Sequence, residues 1–222
     1  VSAGILSHGF KKPPVPATEG PSKFARIKRG LMPHTEKADS ETVSFHYDMS
    51  NEFYADFLGS SMTYTCAVFD NEHMSLEDAQ ANKLRLILDK LDLQPGQRLL
   101  DIGCGWGSMV ITAARRGIKA LGVTLSKEQS AYANEWIARE GLQDLAEVRV
   151  QDYREVPEHD CAGICWIDMM EHVGVKNYQS YFEEMLRLLK PMGRLLNHQI
   201  TISHDKPHGK PGTDEFLDRY IF

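Results

Sequence analysis

The chain has 222 residues, 42% of them hydrophobic and 25% charged, with a formal net charge of −6. That is long enough for one substantial domain with its own core, and the composition excludes a disordered or fibrous chain. No apolar run approaches the roughly 18 to 20 residues needed to cross a bilayer, so a membrane-spanning protein is not expected.

The charge is uneven. Residues 1–40 carry seven Lys/Arg (Lys11, Lys12, Lys23, Arg26, Lys28, Arg29, Lys37) against Glu19, Glu36 and Asp39, a balance of +4 that leaves −10 for the remainder. This stretch is rich in Pro, Gly, Ser and Lys and reads as a basic arm or linker, fitted to an anionic surface or simply solvated. Its short apolar piece precedes its basic residues, the reverse of a secretory signal. A single domain is expected over 41–222.

Ser75 opens a helix over 75–91, with Asp78 at capping-box spacing and Leu84, Ile87, Leu88 and Leu91 as one apolar stripe. Pro95-Gly96 is a turn, and 98–102 (RLLDI) is a short buried strand. A glycine turn and a helix to about 116 follow, then a second strand at 119–125. Ser126 and Gln129 form another capping box, opening a helix with Ala133, Trp136 and Ile137 on one face. A third strand is read at 146–153 and a fourth at 162–170. A helix over 177–190 carries Tyr178, Tyr181, Phe182, Met185 and Leu189; Pro191-Met192-Gly193 stops it before a fifth strand at 194–200. Strands alternating with helices give an α/β fold with a doubly wound parallel sheet. Two further strands are expected for a complete sheet, so the C-terminal part reads as missing.

Four cysteines, Cys66, Cys104, Cys161 and Cys165, form no CxxC pair and have no zinc-site spacing. They read as free thiols of a reducing cytosol, and no metal site is expected.

The stretch 99–108, LLDIGCGWGS, puts Gly103, Gly105 and Gly107 at the carboxyl end of the first strand, where open α/β sheets bind ligands. The G-x-G-x-G spacing is one residue shorter than the dinucleotide fingerprint. Asp101 before it disfavours a pyrophosphate and suits a ligand carrying an amine or sulfonium. S-adenosylmethionine is therefore the leading cofactor, with a dinucleotide or a purely structural turn as alternatives. Strand two ends without an acid; Thr124, Ser126 and Gln129 supply polar groups there, or merely cap the helix.

Four separated stretches then carry a resemblance: 46–54 (HYDMSNEFY), 62–69 (MTYTCAVF), the glycine turn with 122–129 (GVTLSKEQ), and 171–174 (EHVG) with 197–200 (NHQI). Over roughly 42–222 the chain resembles the cyclopropane fatty acid synthases and mycolic acid cyclopropane synthases, which alkylate lipid double bonds using S-adenosylmethionine. The resemblance implies a Rossmann-like class I methyltransferase sheet. It implies cofactor contacts at Tyr64, Thr65, Gly103, Gly105, Thr124, Leu125 and Gln129, with Tyr153 and Arg154 near the adenine. It also implies a bound bicarbonate held by the Cys66 main chain, Glu171, His198 and the Ile200 main chain.

That constellation suits the chemistry. Methyl transfer to an alkene leaves a carbocation that must be kept from water and lose a proton, and bicarbonate fits as base and counter-anion. Phe45, Tyr54 and Tyr64 offer rings to face the cation. The bland alternatives are a buried thiol at Cys66, a helix-start acid at Glu171 and a core histidine at His198. The family more often has small residues before EHVG, so Trp166 and Asp168 are departures that put the product in doubt between a ring, a methylene- or methyl-branched chain and a hydroxylated one. The expected partners are an unsaturated phospholipid or fatty acyl chain, an anionic membrane surface met peripherally from the cytoplasm, and a second copy of the chain. Nucleic acid is not expected, since no N/D-P-P-Y motif occurs; a small-molecule or nucleic-acid methyltransferase is the rival of another class.

Overall fold

The computed structural model describes residues 50–170, 173 and 177–200. The basic arm, Phe45, Glu171 and the segment after Ile200 lie outside the described residues.

Five strands form one parallel sheet: β1 (Arg98–Ile102), β2 (Lys119–Thr124), β3 (Ala146–Val150), β4 (Cys161–Ile167) and β5 (Leu189–His198). Their order is β3-β2-β1-β4-β5, so the chain reverses direction of travel between β1 and β4. Among the described residues five α-helices accompany them: α1 (Asn51–Leu58), α2 (Leu76–Leu91), α3 (Ser108–Ala114), α4 (Lys127–Arg139) and α5 (Tyr178–Leu188). The expected caps form: Ser75 Oγ accepts from Asp78 N–H at 3.0 Å, and Ser126 Oγ accepts from Gln129 N–H at 3.2 Å.

Two apolar clusters sandwich the sheet. One takes the stripe Leu84, Ile87, Leu88 and Leu91 with Val110, Ile111, Ala133 and Ile137 from α3 and α4. The other takes Tyr181, Met185 and Leu188 of α5 with Leu100, Ile164 and Trp166. Helices on both faces bury the strands from either side, which is why β1 and β4 read as near-continuous apolar runs.

Three boundaries differ from the sequence reading. The third strand ends at Val150, because the Asp152 side chain caps a 3-10 turn over Tyr153–Glu155 and competes with the ladder. The fourth ends at Ile167, where Asp168 takes a left-handed φ of 52°. The fifth begins at Leu189 and bulges: Cys161 pairs with Leu189, but Gly163 pairs with Arg194. Pro191 lies in that bulge, where its missing N–H costs no ladder bond.

Candidate active site

The glycine turn follows β1 at the switch point of the sheet. Gly103 N–H and Cys104 N–H both donate to the Val123 carbonyl, at 3.0 and 3.1 Å, tying the turn to β2. All three glycines have positive φ (72°, 54° and 88°). Their surroundings differ. A Cβ on Gly103 would lie 2.5 Å from the Met169 sulfur, and one on Gly107 2.8 Å from the Ala133 Cβ. A Cβ on Gly105 would meet nothing within 4 Å. Gly103 and Gly107 therefore serve packing, while Gly105 is the open side of a cradle.

Asp101 is almost wholly buried beneath this turn. Burial pushes its carboxyl up to about 6, against the opposing pull of the Cys165 thiol, which donates to Oδ1 at 3.1 Å, and of the Lys83 charge. At the tip of β2, Thr124 Oγ1 donates to Gln129 Oε1 at 2.7 Å, and Ser126 caps α4; all three are buried. These polar groups are pre-set by one another, with half-buried Leu125 between them.

At the tip of β3, the Arg154 guanidinium grips Asp152 through two bonds, at 2.8 and 2.6 Å. Tyr153 turns its ring edge-on to Trp166, centroids 5.0 Å apart. Trp166 is itself buried against Tyr181. Among the described residues its ring contacts are thus Tyr153 and Tyr181.

Residues 62–69 form a strap laid along α2. Gln80 Nε2 donates to the Thr65 carbonyl at 2.8 Å, Asn82 Nδ2 to the Val68 carbonyl at 3.0 Å, and the Lys83 ammonium to Thr65 Oγ1. Thr63 Oγ1 bonds Ser108 Oγ at 3.0 Å, joining the strap to the start of α3. Beside it, Tyr54 is buried against Trp106, centroids 4.7 Å apart, and packs edge-on to Tyr64. Phe53, Phe57 and Tyr64 pack on one another and, like Phe69, leave about half of their surfaces in solvent.

The strap delivers Cys66 to the end of β5. Cys66 Sγ lies 3.7 Å from His198 Nε2, and His198 Nδ1 lies 3.2 Å from Asp168 Oδ1. Ligand-type atoms of Cys66, Asp168 and His198 all fall within 4.8 Å of one another. A thiol, a carboxylate and an imidazole are also metal-ligand types. Here, however, the Lys83 ammonium interacts with both Cys66 and Asp168, and a nearby cation opposes a second one. Ile200, two residues beyond His198, is exposed.

Lys83 is the residue that sequence reading missed. It is 3% exposed and lies on the same helix as the apolar stripe. Burial pushes its amine down to about 8, while Cys66, Asp168 and Asp101 pull it back up. Lys83 stands four residues before Ile87 and eight before Leu91, on the buried face of α2; as a charged residue it was left out of the apolar stripe. Asp152 was also missed, hidden because it was read as strand.

Comparison with known proteins adds four findings. The family model described as mycolic acid cyclopropane synthetase matches residues 34–222. A probable fatty acid methyltransferase of Mycobacterium tuberculosis is 49% identical over 207 residues, 93% of this chain and 48% of that protein. A cyclopropane mycolic acid synthase 2 of Mycobacterium bovis is 40% identical over 174 residues, 75% of this chain and 57% of that one. The crystal structure of a mycolic acid cyclopropane synthase complexed with SAH and CTAB matches with a TM-score of 0.65 at 36% identity, covering 68% of this chain and 53% of that one. The chain spans about half the length of the curated relatives it matches.

Proposed function

The chain belongs to the mycolic acid cyclopropane synthetase family, and from that premise we propose that it takes part in S-adenosylmethionine-dependent alkylation of the cis double bond of an unsaturated fatty acyl chain. The observation that carries this reading is the meeting of Cys66 with His198 at the carboxyl end of β5, the same edge of the parallel sheet that carries the glycine turn after β1. A generic nucleotide turn does not require that pair.

The residues fit the cofactor. Gly105 opens the cradle for close backbone approach, the buried Asp101 carboxylate suits an amine or sulfonium, and Thr124 and Gln129 present preset polar groups at the tip of β2. Tyr64, Thr65, Leu125 and Ser126 border that place, with Tyr153 and Arg154 at the tip of β3. The residues around His198 fit an anion such as bicarbonate: the imidazole donates from Nε2 when it is protonated, and the Lys83 charge lies close by. The main chains of Cys66 and Ile200 are its other holders in this reading, with Glu171 outside the described residues.

When bound, S-adenosylmethionine supplies an electrophilic methyl group, and bicarbonate a base and counter-anion. The chain does the rest. The strap and the rings of Tyr54 and Tyr64 keep water from the positive charge that develops on the acyl chain. His198 holds the anion where a proton must leave. The neighbouring acid Asp168 is the observation that favours a second product: loss of a different proton gives a methylene-branched chain. The exposed aromatic end is the surface proposed to meet an unsaturated phospholipid in a membrane. No helix among the described residues is long and apolar enough to cross one.

The test is incubation with labelled S-adenosylmethionine and oleoyl phospholipid vesicles. Acyl chains one CH2 heavier support the reading, and NMR of the product separates a ring from an exocyclic methylene. Label found in RNA or a small amine, with none in lipid, would overturn it.

A further inference from the structure

We propose that Asp168 is the positioning residue of His198: its carboxylate holds the Nδ1 hydrogen, so that Nε2 is the nitrogen presented beside Cys66. This rests on the reading above that His198 serves the reaction.

The backbone comes first. Asp168 follows directly on β4 with φ 52°, a conformation that is strained for a residue with a Cβ and that glycine adopts freely. The cost is borne where the surroundings hold the residue in place, and such positions cluster at functional sites. Asp168 N–H donates to the His198 carbonyl at 2.9 Å, continuing the β4–β5 pairing one step past Ile167 and His198. The left-handed turn then brings the Asp168 side chain back onto the ring of the residue whose carbonyl its backbone already holds.

Next comes the proton. His198 Nδ1 and Asp168 Oδ1 are both shielded from solvent and lie 3.2 Å apart, in ion-pair contact at an angle that falls short of a formed hydrogen bond; a small rotation of the ring or the carboxylate would complete it. An ionised carboxylate only accepts, so the nitrogen facing it must carry the hydrogen. The neutral ring then has its lone pair on Nε2, 3.7 Å from Cys66 Sγ. On taking up a proton, the same ring becomes a donor from Nε2 while Asp168 balances its charge. Both states are needed of a group that holds an anion while a proton moves. The charged and titratable groups near His198 among the described residues are Asp168, Cys66 and, through Asp168 and Cys66, Lys83.

The variant Asp168→Gly separates positioning from folding, because glycine is the natural residue at this φ and its fold should be at least as stable. Long-range proton–nitrogen NMR of the whole chain, labelled at histidine and assigned with His198→Gln, reads the tautomer directly. Wild type should show His198 protonated at Nδ1; Asp168→Gly should show a mixture or the Nε2–H form; Asp168→Asn, which keeps an acceptor oxygen, should lie between. In the lipid assay kcat should fall roughly 10- to 1000-fold in Asp168→Gly, with KM little changed and partial rescue in Asp168→Asn. An Nε2–H tautomer in wild type, or an unchanged tautomer and pH profile in Asp168→Gly, would overturn the proposal. The expected tautomers in a chain that never alkylates lipid would leave the positioning role standing and sink the reaction assigned to the site.

Discussion

Cys66 and His198 are 132 residues apart in sequence, yet Cys66 Sγ lies 3.7 Å from His198 Nε2. One is carried by the strap fastened to α2, the other by the end of β5. Replacing His198 with Ala should lower acyl alkylation by about 100-fold or more, the usual worth of a positioned proton-transfer or donor group. Binding of S-adenosylhomocysteine, measured by calorimetry, should be unchanged. Cys66→Ser should retain much of the rate, since the main chain is the part assigned to the site.

Asp101→Asn should stabilise the chain without ligand while weakening cofactor binding. The folded carboxyl is raised to about 6 from 3.8, mainly by burial. Above pH 6 both folded and unfolded forms are ionised, and the folded state bears the whole desolvation cost; below pH 4 both are neutral and the cost vanishes. The variant should therefore exceed wild type by about 1–3 kcal/mol at pH 7.5 in thermal or urea unfolding, with the gap closing toward pH 4. Equal stability at pH 7.5 would count against a buried charge.

Lys83→Met should show the same pattern with the opposite pH sense. The amine is lowered from 10.5 to about 8, mainly by burial. Below pH 8 both states are charged and the folded chain carries the cost. Between pH 8 and 10.5 the unfolded chain holds the extra proton, so wild-type stability from this group rises with pH. The methionine variant should lose that rise and be about 1–2 kcal/mol more stable at pH 7, less whatever the lost bond to Thr65 contributes. Its activity should nonetheless fall, the signature of a residue kept for function at a cost in stability.

Gly103→Ala and Gly105→Ala should fail differently. Both suffer a left-handed φ, costing about 1–2 kcal/mol. Gly103→Ala adds a clash with Met169 and should lower the melting temperature further. Gly105→Ala has room for its methyl and should mainly weaken binding of S-adenosylhomocysteine. Similar melting temperatures with equal loss of affinity in both variants would refute this division.

Much of the fold was legible in the chain itself. The alternation of apolar runs and amphipathic stripes specified a parallel, doubly wound sheet, and Leu84, Ile87, Leu88 and Leu91 are buried together as their spacing required. Ser75 and Ser126 cap their helices through local bonds that need no tertiary partner. The boundaries that moved, at Asp152 and around Pro191, are places where one side chain or a bulge competes with the ladder, and periodicity does not register such competition. Gly103 and Gly105 read alike in the sequence, as cofactor contacts, although Met169, from elsewhere in the chain, crowds the first and nothing crowds the second.

Periodicity and local capping are encoded within a few residues, so the sequence by itself determined the elements, the sheet and the place of the glycine turn. Its motifs also named Cys66 and His198 through resemblance. Only the tertiary structure decided that the buried Lys83 has Cys66, Asp101 and Asp168 as its charge partners, and that Asp168 turns back onto His198. Those relations depend on which elements the fold sets side by side and on the burial that follows. Desolvation and charge pairing are properties of a place in space, and no single stretch of the chain contains them.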